Sequence, residues 1–386
     1  MKASFIERDN RLIDKYGHLL DKAKHFTNES HLNQLEENKM AILMDNAVRA
    51  TCTEMGVDYN SFDLSKIEET AQTGTSSIAF MVKTKMAMIG QVYPNMMSRE
   101  IVSLQPIPQP TYKIFYNDFK REDDSSLATG IHTGRNYANN VEYDPDDPTA
   151  VKAITMEITS EDVSATTKKL KGSVTIEVEQ DLMAYHGMAA MSLITGNMGA
   201  ELTREWDRTI IADLFAGATG GIAYFNKTQP SGLTYEDRRY WMETLHERFV
   251  DVDTQIFKKR FRKTNYIVIP ADEAGMLEKM VGFVPDDTMT VDRKVLKTGG
   301  RYFAGVLKNR WRIYVDPFIE GEILLGYNNP GDWTETSYVF SPYEMAYLSP
   351  EVTNPHTFVK TRAVMSRAAR KLVIGDLLGK VILTTS

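Results

Sequence analysis

Apolar residues recur at helical spacing twice near the start of the chain. Phe5, Leu12, Ile13, Tyr16, Leu19 and Leu20 share one helix face between Ser4 and Phe26, and Leu32, Leu35, Leu43, Ala47 and Val48 repeat the pattern. Two amphipathic helices are expected there. A polar stretch from Asp58 to Ser77 follows, ending in loop-forming Gly74, Thr75, Ser76 and Ser77, and then an apolar run from Ile78 to Val92 that Pro94 stops. This region reads as an arm that buries little against the rest of the chain.

Beyond the arm, IVSLQPIPQPTYKIFY at Ile101 to Tyr116 carries three closely spaced prolines, which prevent helix and favour an extended chain that runs into a strand. From Asn117 to Ser173 the composition turns polar, yet Ala153 to Ile158 alternates in strand fashion. A polar excursion of this length far exceeds the usual connection of about 4 to 6 residues, and its strand-forming ends predict a protruding hairpin. From Glu177 to Ala218 the pattern is helical. Met191, Ile194, Met198, Leu202, Trp206, Ile210 and Leu214 follow steps of three or four, interrupted early by Gly187 and ended by Gly217, Gly220 and Gly221, where glycine is expected for its left-handed conformation.

A further helix is expected from Tyr235 to about Phe261. The chain then changes to mixed character: a strand at Asn265 to Pro270, a short helix at Ala271 to Val281, and a hairpin pairing Tyr302 to Leu307 with Trp311 to Val315. Strands at Ile323 to Tyr327, Tyr338 to Phe340, Phe358 to Val364 and Lys371 to Ile374 complete the reading. The fold class is α+β. Strands and helices do not alternate as βαβ units, which argues against a doubly wound sheet.

Composition narrows the function. With 42% hydrophobic residues the chain can bury a core, and no apolar run approaches the roughly 18 residues that a spanning helix needs. A single cysteine, Cys52, excludes an intrachain disulfide and any CxxC site. The net charge of −7 has the wrong sign for a surface that grips nucleic acid throughout, so DNA near this protein is expected to be enclosed, not held.

Chemical motifs are mostly missing. Neither a P-loop nor a GxGxxG signature occurs, and His246-Glu247 fails as HExxH because Val250 stands where the second histidine belongs. The pairs Asp123-Asp124, Asp146-Asp147 and Asp286-Asp287 lack EF-hand spacing and read as solvated loop charges. His186 has no nucleophile motif beside it. No catalytic, cofactor or metal residue is assigned. The one dense cationic patch, Lys258, Lys259, Arg260, Arg262 and Lys263, could face DNA, but the favoured reading is a solvated helix end where cations complement the dipole, which needs no DNA.

Several segments, in order, resemble the major capsid proteins of tailed bacteriophages, in particular the T-even-like major head proteins. They are IVSLQPIPQPTYKIFY; the stretch Leu170 to Phe215 with its core EVEQDLMAYHG; TNYIVIP at Thr264; NRWRIYVDPF at Asn309; LLGYNN at Leu324; VFSPYEMAYLSPEV at Val339; and NPHTFVKTRAV at Asn354. The resemblance covers roughly Met86 to Gly375. It implies a Hong Kong ninety-seven type fold. The expected division is an N-terminal arm at 1–100; a peripheral domain at 101–116, 172–263 and 343–386 holding a long spine helix; an extended loop at 117–171; and an axial domain at 264–342.

The implied function is a non-enzymatic shell subunit without cofactors. It would self-assemble into hexamers and pentamers of an icosahedral or elongated phage head around double-stranded DNA, first in the host cytoplasm and then in the virion. Implied partners are the chain itself, portal and scaffolding proteins, and decoration or vertex proteins, with no membrane. The chain is shorter than the best-known T-even head proteins and shows no insertion domain. Leu35-Glu36-Glu37 and Ile67-Glu68-Glu69 offer acidic sites to a prohead protease, though an uncleaved N-terminus is expected. The isopeptide-forming lysine and asparagine of some relatives match no residue here. The alternatives are an encapsulin-like compartment shell, a vertex paralogue, and, from a different class, a hydrolase using Asp286 or Asp287.

Overall fold

A computed structural model describes residues 12–13, 15–17, 34–54, 59, 89, 96–121, 154–228, 230, 232, 234–285, 301–329 and 336–384. Their strands sort into a five-stranded sheet, a seven-stranded sheet and a two-stranded ribbon.

The five-stranded sheet is organised by one long strand, β13 (Val359–Leu372). Antiparallel to it run β4 (Thr166–Thr175), β11 (Tyr338–Leu348) and β12 (Val352–Asn354), and the short β1 (Ser103–Leu104) joins β11 in parallel. Helix α4 (Ala190–Ala216) packs against β4, β11 and β13 through Met198, Leu202, Trp206, Ile210 and Leu214, the apolar seam that its spacing predicts. At the centre, the Trp206 indole lies 5.5 Å from Phe340 and donates through Nε1 to Ser366 Oγ at 3.0 Å. Burial of the ring is thus combined with a satisfied donor. Asp213 accepts from Tyr338 Oη at 2.7 Å and from Arg370 at 2.6 Å, tying the helix to both central strands. A side chain at Gly172 would meet Ile194 at 2.4 Å, so glycine there sets how closely α4 approaches β4.

The seven-stranded sheet runs β5 (Gly221–Asn226), β14 (Leu378–Thr384), β10 (Glu322–Gly326), β6 (Tyr266–Pro270), β9 (Trp311–Asp316), β8 (Tyr302–Leu307) and β7 (Phe283–Pro285). Its pairing is mixed: β5 with β14 and β6 with β9 are parallel, the rest antiparallel. Every residue of β6 is buried because the sheet is covered on both faces. Tyr266 and Val268 join the core that holds α4, whereas Ile267 and Ile269 join a second core beneath α5 (Tyr235–Arg260). Helix α5 starts in a capping box between Thr234 and Asp237 and buries Leu245, Phe249, Val252 and Ile256. The β8–β9 hairpin turns over Lys308, Asn309 and Arg310; Lys308 and Asn309 have positive φ, and the Arg310 amide donates to the Leu307 carbonyl to close the turn. Between β6 and β7 lies the short helix α6 (Ala271–Glu278).

Helix α1 (Gln34–Glu54) corrects the expectation that the arm buries little against the body. Met40, Leu43, Met44, Ala47 and Val48 are buried, Leu43 and Ala47 belong to the main core, and the helix packs on β11. Asn46 donates to the carbonyls of Ile107 at 3.0 Å and Tyr343 at 3.1 Å, which fixes its register. The first expected helix falls largely outside the described residues, as do the run from Ile78 to Val92 apart from Ile89, and residues 122–153 of the polar excursion.

Four further readings change. Phe358 to Val364 and Lys371 to Ile374 are one strand, β13, because the intervening Ser366, Ala368 and Ala369 are buried by their neighbours, and packing overrides the weak strand preference of alanine. Tyr338 to Phe340 is only the start of β11, which runs on to Leu348 and belongs to the five-stranded sheet. Strands β5 and β14, where no strand is expected from the local pattern, pair with each other in the seven-stranded sheet; strand pairing across the chain leaves no mark on local periodicity. Finally, the glycines after α4 are not left-handed. Gly217 has φ −90°, and a side chain at Gly220 would stand 2.2 Å from the Asp376 carbonyl oxygen, so close backbone approach is what demands glycine.

Candidate assembly surfaces

The polar excursion begins and ends as a ribbon. Strand β2 (Thr111–Arg121) pairs with β3 (Ile154–Ser164) in unbroken antiparallel register from Thr111 opposite Ser164 to Arg121 opposite Ile154. Its root is anchored where Ile114 and Val163 pack with Ile107, Val339 and Ala369. Beyond that root no third strand joins it among the described residues. An isolated two-stranded ribbon is at best marginally stable in water, so such an element is suited to lie on another surface.

A buried joint sits where the arm enters the body. The carboxylate of Asp207, on α4, accepts from the backbone amides of Met97 and Ser98 at 3.2 Å each and from Ser98 Oγ at 2.6 Å. It also faces Arg301, 3.9 Å away, whose Nε donates to Asp316 at 2.8 Å. Burial pushes the Asp207 carboxyl above the usual aspartate range, against the opposing pull of Ser98 and Arg301. Within helix α2 (Ser98–Ile101), Glu100 accepts from Tyr314 Oη on β9 and its carbonyl oxygen accepts from Asn328. Arm, spine helix and both sheets therefore meet at residues 96–104.

Helix α3 (Ile176–His186) differs from every other long described helix: none of its residues is buried. It is held by Leu182, which packs on Val174, Ala190 and Met191, by the Glu179 pair with Lys360, and by its ends. Thr175 caps the first turn, Gly187 closes the last at φ 63°, and the Ile176 amide donates to the Phe358 carbonyl. Yet Val178, Met183 and Tyr185 stand in solvent, Tyr185 at 83% exposure, with Val352 and Phe358 exposed on the neighbouring β12–β13 turn. Sequence reasoning treated this segment as the start of one long helical pattern and missed the surface. The available signal was that the apolar seam begins only at Met191.

The cationic cluster lies at the C-terminal end of α5 and divides in two. Lys259 Nζ donates to the Thr219 carbonyl at 2.7 Å and Arg260 pairs with Asp376 at 2.9 Å, both anchoring the helix end to the strand crossings beneath. Lys258, Arg262 and Lys263 are exposed, and Lys263 stands 5.6 Å from the Phe257 ring. Phe257 and Phe261 are themselves exposed and meet edge to face at 6.1 Å.

Of the other residues considered for chemistry, His186 is exposed at the end of α3, whereas His246 packs edge-on against Trp311 at 5.5 Å. Burial, with Lys308 and Arg310 adding to it, holds the His246 imidazole below the usual histidine range. No cluster of three metal-ligating side chains occurs among the described residues, and Asp123, Asp124, Asp146, Asp147, Asp286 and Asp287 lie outside them.

Comparison with known proteins places these surfaces in context. A family model described as Major capsid protein Gp23 matches residues 117–380. The major capsid protein of Serratia phage KSP90 is 28% identical over 234 residues, covering 56% of this chain and 51% of that protein. That of Enterobacteria phage T4 is 24% identical over 207 residues, covering 47% of this chain and 37% of its own length. The chain thus spans about half or less of the curated relatives it matches. A solved chain from Mycobacterium phage Bobi aligns over 74% of this chain and 90% of its own, with 11% identity and a TM-score of 0.47.

Proposed function

The chain belongs to the Gp23 major capsid protein family, and on that premise we propose that it is the shell subunit of a tailed-phage head, working by association with copies of itself. Family membership carries the reading, and the geometry supports it. A ribbon with no third strand beside it among the described residues gains more from lying on a neighbouring molecule than from standing in water. In domain terms, the arm leads through the joint at residues 96–104 into a peripheral unit built on the five-stranded sheet and α4. From that unit extends the ribbon of β2 and β3. The axial unit is the seven-stranded sheet with α5, which takes in residues 221–226 and 378–384 as well as most of 264–342.

The mechanism is geometric and not catalytic. Repeated weak contacts between rigid units, with adjustment of arm and loop, close a container around packaged double-stranded DNA in the virion. Portal, scaffolding and decoration proteins are the further partners this reading implies. Deleting residues 121–152 should leave the body folded while abolishing closed particles in negative-stain electron microscopy. Normal particles from that deletion would sink the clamping role of the loop, and particles filled with protein cargo instead of DNA would sink the viral one.

A further inference from the structure

Two exposed faces of this chain are incomplete in complementary ways. On α3, Glu177, Asp181 and Tyr185 follow one another at steps of four, with Val178 beside them, so all four fall within about a third of the helix circumference. All four are exposed, and neither carboxylate has an ion-pair partner among the described residues. At the end of α5, Phe257 and Phe261 again follow a step of four, flanked by exposed Lys258 and Lys263. One face is acidic with Tyr185 and Val178 beside its carboxylates, the other basic with an aromatic pair, and both leave apolar surface in water.

The chain does not bring them together. Helix α3 rests on α4 and β4, whereas α5 rests on β5, β10 and β14 of the other sheet. We infer that the acidic face of α3 in one copy docks on the basic, aromatic end of α5 in a second copy, which deepens the self-assembly reading and rests on it. Because each molecule contributes two different patches, the contact is head-to-tail and continues from copy to copy, closing as a ring when the rotation permits. A second copy suits the α5 face better than nucleic acid does. Phosphates would neutralise Lys258 and Lys263 but leave Phe257 and Phe261 uncovered, and the chain as a whole carries −7. Tyr185 and Val178 supply the apolar cover that a phosphate backbone lacks.

Charge reversal in the full chain tests the pairing. Glu177→Lys with Asp181→Lys, and separately Lys258→Glu with Lys263→Glu, should each reduce association about tenfold or more by sedimentation velocity, because like charges then face each other across the contact. The quadruple variant should recover at least most of that loss, and all three should keep the native thermal transition, since the four side chains are exposed. Double variants that assemble as the native chain does, or a quadruple variant no better than its parents, would overturn the pairing. So would a Lys258→Glu, Lys263→Glu variant that assembles normally yet binds a DNA duplex more weakly in a gel shift. A native chain that stays single-copy would overturn the underlying self-assembly reading instead.

Discussion

Asp207 accepts two amides and a hydroxyl while facing a guanidinium, and Asp207, Met97, Ser98 and Arg301 are all buried. Asp207→Ala should therefore lower stability by about 3 to 5 kcal/mol, the range for removing one partner of a buried charged network. Urea denaturation measures it, and a loss below about 1 kcal/mol would mean the joint is held by its apolar neighbours alone. His246 makes a second test, this time of pH. Its folded-state proton affinity lies below the usual value of 6.5, so in the range above that value neither state binds the proton. As pH falls below it, the unfolded chain takes up a proton that the packed imidazole resists, and stability drops until the folded-state value is passed. His246→Phe should flatten that decline between about pH 7 and 5; an unchanged slope in thermal melts would place the titrating group elsewhere.

Glycines within and between the elements separate two demands that sequence alone merges. Gly196 stands exposed inside α4 with open space around it, so Gly196→Ala should stabilise the fold by about 1 kcal/mol through helix propensity. Gly220 faces the Asp376 carbonyl, so Gly220→Ala should destabilise by about 1 to 3 kcal/mol because backbone must move. Equal effects from the two, read by calorimetry, would contradict the packing described. Elements with a strong local rhythm were legible from the chain: the seam through Trp206 on α4, the β8–β9 hairpin around Lys308 and Asn309, and the span of α5. Elements whose state is set by partners were not. Ala368 and Ala369 are strand residues only because their neighbours cover them, and β5 reads as a glycine-rich helix exit until β14 pairs with it. The surface on α3 was hidden for the same reason, since solvent exposure of Tyr185 is decided by what fails to pack there and not by its spacing.

At the scale of the molecule, the two sheets are coupled through α4 and the joint at residues 96–104, so a disturbance at either sheet is felt at the arm. The sharpest dependence is on β14. It is an interior strand of its sheet, parallel to β5 and antiparallel to β10, with Val381 fully buried between them. Removing residues 378–384 should abolish cooperative unfolding of the seven-stranded sheet, since β5 pairs with no other strand among the described residues and α5 loses one of the three strands it rests on. Retention of a single sharp melting transition would refute that. The same placement governs timing. Ribosomes emit chains from the N-terminus, and all six other strands of this sheet are synthesised before β14. A growing polypeptide therefore carries an open slot between β5 and β10 until β14 is made. On the proposed self-assembly reading, that order withholds a finished platform from any neighbouring copy until the sheet is whole.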